Sequence, residues 1–500
     1  MNKIVKITIL LVLLTLMLVS SCLVGFTEEK VISFARPEDL LTMDPYDAWR
    51  NVVFDFMIYN NLVRLNPNGL GFVPELATEW KISPDAKEYT FTLRKGVKFH
   101  NGEPFNAECV KVSLERYIHE NLRSSGKWKT LKEVEVIDDY TAKVIFNEPN
   151  VVCLSNLAGG NSEMLPAKAF KEKGLALFDN PIGTGPFTWG HWKRGQEIVV
   201  NKSPDYWGEP VYADKFIYYP LLESSTRLAG VLTGDIDICD SMSVDQIPLV
   251  EKSTDVKIVK VLCWDQMYLG LKTDKPPFTD IKFRQAMDLA IDKEGIVKNI
   301  LKGGRVTNGL IAQGILGFDD SLTPAKRDVE KAKQLVKESI YDGRTINMLV
   351  PIGWFPKEKE IAQVIQGGFK EAGINLELEI LDGATYSEKR AAGNYDIYLN
   401  QDTQDGDASW FLTRVIGADT HKMGNINEEL KMLIDKQTKE INIEKRAEIL
   451  REIAKIGSTD FAPLIIICQY ETIYFQNKGL EGVIYYGDKY PDFRYANYEK

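Results

Sequence analysis

The chain has 500 residues, 71 of them acidic and 61 basic, with a formal net charge of −10 and a pI near 5.3. At about 150 residues per domain there is room for ~3 domains, and 44% hydrophobic with 26% charged residues excludes a multi-span membrane protein and a disordered chain. The acidic balance argues against nucleic acid as a partner, since sequence-independent binding needs a concentrated basic face.

The N-terminus reads as an address. Lys3 and Lys6 precede an uncharged run, ITILLVLLTLMLV, at residues 7–19. As a helix this run spans about 20 Å, short of a ~30 Å hydrocarbon core, and its length suits the apolar region of an export signal. Val19-Ser20-Ser21-Cys22 follows. Small residues before a cysteine resemble the lipobox of bacterial lipoproteins. That resemblance implies removal of residues 1–21, a diacylglycerol on Cys22 and a tether over 22–30. An ordinary signal peptide or an uncleaved anchor is the alternative.

Taken in chain order, residues 31–36 read as a strand and 51–62 as an apolar-periodic helix. Residues 89–93 alternate as a strand, 107–117 form a helix, and 134–145 hold two strands around Asp138-Asp139. Ile182-Gly183-Thr184-Gly185-Pro186 is a turn, residues 216–220 a strand and 225–232 a helix. Strands are expected at 256–262 and 267–271, then a long helix over 282–300. Helix 327–338, strand 346–350, helix 358–372, strand 376–380 and a short strand at 396–399 follow. Residues 427–456 read as two amphipathic helices, and 463–468 as a buried apolar strand. This alternation makes the second half an α/β lobe. The first half has more strands and turns.

Catalytic signatures are missing. There is no G-x-S-x-G, H-E-x-x-H, Walker A or G-x-G-x-x-G sequence, so no enzyme is expected. His100, His119, His191 and His421 are the four histidines, and none pair at helical spacing, so no direct metal site and no cofactor is expected. The six cysteines, at 22, 109, 153, 239, 263 and 468, form no CxxC pair and read as buried thiols beyond Cys22. What stands out is aromatic and charged residues in loops. Trp49-Arg50 opens a helix, Trp128 follows a Ser-Ser-Gly turn, and Asp402, Asp405 and Asp407 precede Trp410. Aromatics with a few fixed charges suit a cleft around a small zwitterion. Core packing for the tryptophans and solvated turns for the acids are the plainer readings.

Several stretches together resemble the extracellular solute-binding proteins of peptide and nickel ABC importers, family 5. They are Ala77 to Trp80 with residues 89–107, Asn180-Pro181-Ile182-Gly183-Thr184-Gly185-Pro186, Asn201 to Gly208, Arg227 with Gly234-Asp235-Ile236-Asp237, and Pro276-Pro277-Phe278 through Asp292. The resemblance implies an α/β, periplasmic-binding-protein-like clamp of two lobes joined by two crossing strands. Lobe one would span 31–258 with an extra subdomain at about 65–180, lobe two 259–470, and 471–500 would return to lobe one.

The implied partners are a short peptide or a nickel-type chelate, the permease subunits, and a membrane reached through the lipid anchor, with a monomeric receptor. In peptide-binding relatives a loop aspartate holds the ligand amine, and Asp402, Asp405 and Asp407 compete for that role. In nickel-binding relatives tryptophans and arginines hold the chelate, which points to Trp128 and to His421 in the following loop. Trp49, Arg50 and Trp410 complete the candidate ligand set. A receptor of the same fold used for sensing or adhesion is the alternative function.

Overall fold

A computed structural model describes residues 29–47, 52–66, 71–122, 125–404, 406–424, 427–458 and 463–498. The expected signal segment, Cys22, Trp49, Arg50 and Asp405 lie outside the described residues.

One ten-stranded sheet runs through both lobes. In chain order its strands are β1 (Val31–Arg36), β2 (Phe187–Lys193), β3 (Glu197–Lys202), β4 (Lys215–Pro220), β5 (Ile238–Cys239), β6 (Val256–Leu271), β7 (Ile346–Pro351), β8 (Leu376–Leu381), β9 (Ile397–Asp402) and β10 (Leu464–Asn477). Their spatial order is β8-β7-β9-β6-β10-β5-β1-β4-β3-β2. Strands β4, β1 and β5 are parallel, as are β8, β7 and β9, and each parallel set belongs to one lobe. Between them lie the long antiparallel β6 and β10, of 16 and 14 residues. At ~3.4 Å per residue each is long enough to pass from one lobe to the other.

The sequence reading splits β6 in two. The structure keeps it continuous but shifts its register with β10 between Leu262 and Gln266. Such irregularities bend a strand and add twist, and here the bend sits where the two hydrophobic cores part. Tyr474 belongs to the lobe-one core with Phe34 and Phe493, whereas Cys468 and Met267 belong to the lobe-two core with Ile397 and Phe283. Two hydrogen bonds pin the bend: Trp264 N donates to Gly487 O at 2.7 Å, and Gln469 Nε2 donates to Cys263 O at 2.9 Å.

Lobe one carries a separate four-stranded antiparallel sheet of Ala77–Ile82, Glu88–Leu93, Thr141–Phe146 and Leu131–Asp138. Helix α1 (Ala107–His119) is packed with it. Asn106 caps α1 by accepting from the Glu108 and Cys109 N–H groups at 3.1 and 3.3 Å. The 183–186 turn is scaffold, as its proline implies. Gly185 N donates to Ile58 O at 2.9 Å, and a Cβ on Gly183 would lie 1.9 Å from that oxygen. Only glycine allows the two backbones so close. A buried ion pair, Arg494 Nη1 to Glu75 Oε1 at 2.6 Å, ties the C-terminal segment to lobe one.

In lobe two, the helix expected over 282–300 is interrupted. Helix α2 (Ile281–Ala290) stops at Ile291, whose ψ of 126° is extended, and Asp292 caps a new start by accepting from Gly295 N at 2.9 Å. Helices α3 (Val329–Glu338), α4 (Glu358–Ala372), α5 (Gly383–Ala392), α6 (Glu428–Gln437) and α7 (Ile443–Gly457) follow. Five cysteines, 109, 153, 239, 263 and 468, are buried and free. Among the described residues, no helix is long and apolar enough to cross a membrane.

Candidate functional site

The two lobes approach each other at several points. Trp410 of lobe two lies so close over Gly126 of lobe one that a Cβ there would sit 2.8 Å from its ring. A Cβ on Gly406 would lie 3.3 Å from the Leu65 side chain of lobe one. Lys357 of lobe two reaches Asp245 of lobe one at 2.6 Å.

The lobe-two wall is built from the end of β9. Asp402 pairs with Gln266 across the β6 ladder, so it is the last strand residue rather than a loop residue as the sequence reading has it, and it sits level with the bend. Its carboxylate is fully engaged. Tyr268 donates at 2.6 Å, Asn400 Nδ2 at 2.9 Å and Arg414 Nη2 at 2.5 Å. A ligand ammonium there would have to compete with a guanidinium already in place. Asp402 thus stands here as the ion-pair partner of Arg414.

Asp407 is also structural. Arg446 on α7 grips it bidentately at 2.7 Å through both nitrogens, and it accepts from Ser409 N at 2.9 Å. Burial pushes its pKa up, but the Arg446 ion pair and the Ser409 bonds outweigh that and leave it below the usual carboxylate range. Asp407 thus bridges the 404–409 turn to α7. Gln404 anchors the same turn by donating to Leu310 O at 2.8 Å.

Trp128 packs in the lobe-one core. It is 2% exposed and stacks with Tyr117 and Phe146 at centroid distances of 5.5 and 6.3 Å. Trp410 is half-buried at the lobe interface, with the Arg414 guanidinium 5.7 Å from its ring centroid.

His421 is 3% exposed. Its Nδ1 is 2.8 Å from the Tyr398 hydroxyl, while Nε2 is buried without a partner. Burial first, then Arg390 and Arg414, push its pKa down to about 2, so it is a neutral imidazole.

Sequence reasoning missed Arg390, Arg414 and the tyrosines 268, 386 and 398. Arg390 follows Lys389 near a helix end and reads as an exposed charge. The tyrosines are single aromatics spread over β6, α5 and β9, and only the fold collects them.

Residues 71–422 match the model of bacterial extracellular solute-binding proteins, family 5, middle region. The chain belongs to this family. Family 5 relatives include the probable D,D-dipeptide-binding periplasmic protein DdpA of Escherichia coli K12, 28% identical over 75% of this chain and 77% of the relative. Heme-binding protein A of Haemophilus influenzae is 26% identical over 81% and 83%. Among solved structures, HbpA2 from Haemophilus parasuis superposes with a TM-score of 0.84 at 24% identity, covering 94% of this chain and all (100%) of that one. The periplasmic protein DppA from Helicobacter pylori, in complex with the peptide STSA, gives 0.78 at 25% identity over 94% and 98%. The family 5 fold accounts for the two-lobe clamp, and the relatives are binding proteins.

Proposed function

We propose that this chain captures a small solute, a short peptide or a metal chelate, in the interlobe cleft outside the membrane and delivers it to an ABC permease. The observation that carries the reading is the bent pair β6 and β10 joining two lobes whose facing walls touch at Trp410 and Gly126. Two strands bent at one level form a hinge, and a solute that contacts both walls favours the closed state by its differential affinity. Among the described residues no three His, Cys, Asp or Glu side chains converge as for a metal ion. A metal would therefore travel inside its own chelate.

Native mass spectrometry of protein purified without denaturation, followed by calorimetry with dipeptides and nickel(II)–histidine, tests this. A bound solute of either class is expected, with a smaller radius of gyration in solution scattering. An unchanged radius under saturating ligand speaks against a clamp. The same reading makes Cys22 the membrane anchor. Palmitate labelling should vanish in Cys22→Ala, and labelling that persists would rule that out.

A further inference from the structure

After β10 the chain returns to lobe one through a loop at residues 484–492. Its ends are joined by Ile484 and Asp492, whose backbone groups exchange hydrogen bonds of 3.0 and 2.8 Å. Phe493 packs in the lobe-one core, and the Arg36 guanidinium of β1 lies 4.9 Å from the Tyr490 ring centroid. The loop is thus rooted in lobe one, yet its tip lies against the bend of β6. Gly487 O accepts from Trp264 N, and a Cβ on Gly487 would stand 2.5 Å from the Trp264 indole. Lys489 follows with a φ of 73°, a left-handed backbone that is uncommon outside glycine and persists where the surroundings impose it. Its carbonyl accepts from the Tyr474 hydroxyl of β10 at 3.1 Å.

That placement carries Lys489 Nζ to Asp265 Oδ2, 2.5 Å away. Asp265 is fully buried, and among the described residues Lys489 is its one ion-pair partner. The Tyr470 hydroxyl, 3.0 Å from the same oxygen, is shared with Gln401 of β9, and both of these residues belong to lobe two. The other oxygen, Oδ1, is buried without a hydrogen-bond partner, so Lys489 and Tyr470 carry the whole of the compensation.

Asp265 therefore stands on the pivot. Trp264 before it is tied to lobe one through Gly487, whereas Gln266 after it pairs with Asp402 and Gln469 in lobe two. Rotation of lobe two about the bend changes the separation of Asp265 from Lys489. A buried carboxylate that loses its cation is costly unless water reaches it.

We propose that Lys489 and Asp265 form a hinge lock: the pair holds β6 at the bend described here and so keeps part of the ligand-free population with its lobes in contact. The inference rests on the solute-receptor reading above and names the groups that bias closure before a solute arrives. The lock differs in kind from the Lys357–Asp245 bridge, whose carboxylate is exposed and screened by water and salt.

Small-angle scattering of the full chain without ligand tests this, comparing wild type with Asp265→Asn and with the double variant Asp265→Asn/Lys489→Gln. Asp265→Asn keeps the side-chain shape and leaves Lys489, whose side chain is 28% exposed, able to meet water. The double variant removes both charges and serves where the single one folds poorly. The radius of gyration should be larger in the variants than in wild type, at an unchanged urea slope, which excludes partial unfolding. Equal radii for wild type and both variants overturn the proposal.

Ala-Ala and nickel(II)–histidine, each at saturating concentration, separate this from the receptor reading. A probe that binds should bring all three proteins to the same smaller radius. Its affinity should fall in the variants by the same factor as the closed fraction, because only that fraction is competent to bind. An affinity unchanged in a variant of larger radius also overturns the lock. If neither probe alters any radius, the clamp reading fails, and the ligand-free comparison still decides whether the pair holds the bend.

Discussion

The aromatic cluster around Trp128 in lobe one and the one around Arg390 in lobe two use the same residue types to opposite ends. In lobe one, Tyr117, Trp128 and Phe146 stack in a closed core, and Arg116, next to Tyr117 in the chain, is matched by Asp44 and Glu120. In lobe two, Trp354, Tyr386 and Tyr398 surround a guanidinium that, among the described residues, has no carboxylate of its own, beside buried nitrogens without partners. Tryptophans and arginines thus do not mark a binding wall by their presence. An unbalanced charge and unpartnered buried nitrogens set the second cluster apart, because a folded chain leaves such groups unpaired only at a cost.

That contrast can be broken from the lobe-one side first. Trp128→Ala should cost about 3–5 kcal/mol of stability, the range for a large buried aromatic, read as a lower urea midpoint at unchanged slope. Ligand affinity of the folded fraction should stay near wild type. A variant that folds normally and loses binding would move Trp128 back to the cleft.

Asp407→Asn is next. It leaves Arg446, with a side chain 8% exposed, facing a neutral amide. The loss expected from breaking a buried pair is about 3 kcal/mol, and it should appear in unfolding experiments rather than in calorimetric affinity.

His421 sharpens the lobe-two half through pH. Unfolded, the imidazole takes a proton near 6.5; folded, only near pH 2, because burial and the two arginines oppose the charge. Acid therefore favours the unfolded chain. The His421 contribution is complete above pH 6.5 and is lost as pH falls, at up to about 1.4 kcal/mol per pH unit. Between pH 6.5 and 5 this is ~2 kcal/mol. His421→Gln should flatten that part of the curve in thermal unfolding from pH 7 to 5, and an unchanged slope would contradict a buried neutral histidine.

The smallest effect belongs to the latch across the cleft mouth. Asp245 is 61% exposed on its side chain, so Lys357→Ala should alter closure by no more than about 0.5 kcal/mol. It should change ligand affinity less than threefold, and the difference should disappear in high salt.

The sequence by itself determined the α/β class, most element positions, the export signal as an expectation and the family, because these rest on local patterns. Hydrophobic period, turn glycines such as Gly183 and Gly185, and caps such as Asn106 act over a few residues and read the same in any context. Tertiary structure decided the rest. Asp402, Asp405 and Asp407 look alike in sequence. The fold commits Asp402 to Arg414 and Asp407 to Arg446, 12 and 39 residues away. Arg390 looks like a helix-surface charge until β7, β9 and α5 bring Trp354, Tyr398 and Tyr386 around it. Ion pairing and burial depend on partners distant in the chain, so the balance of charge in each cluster arises only when the chain has folded.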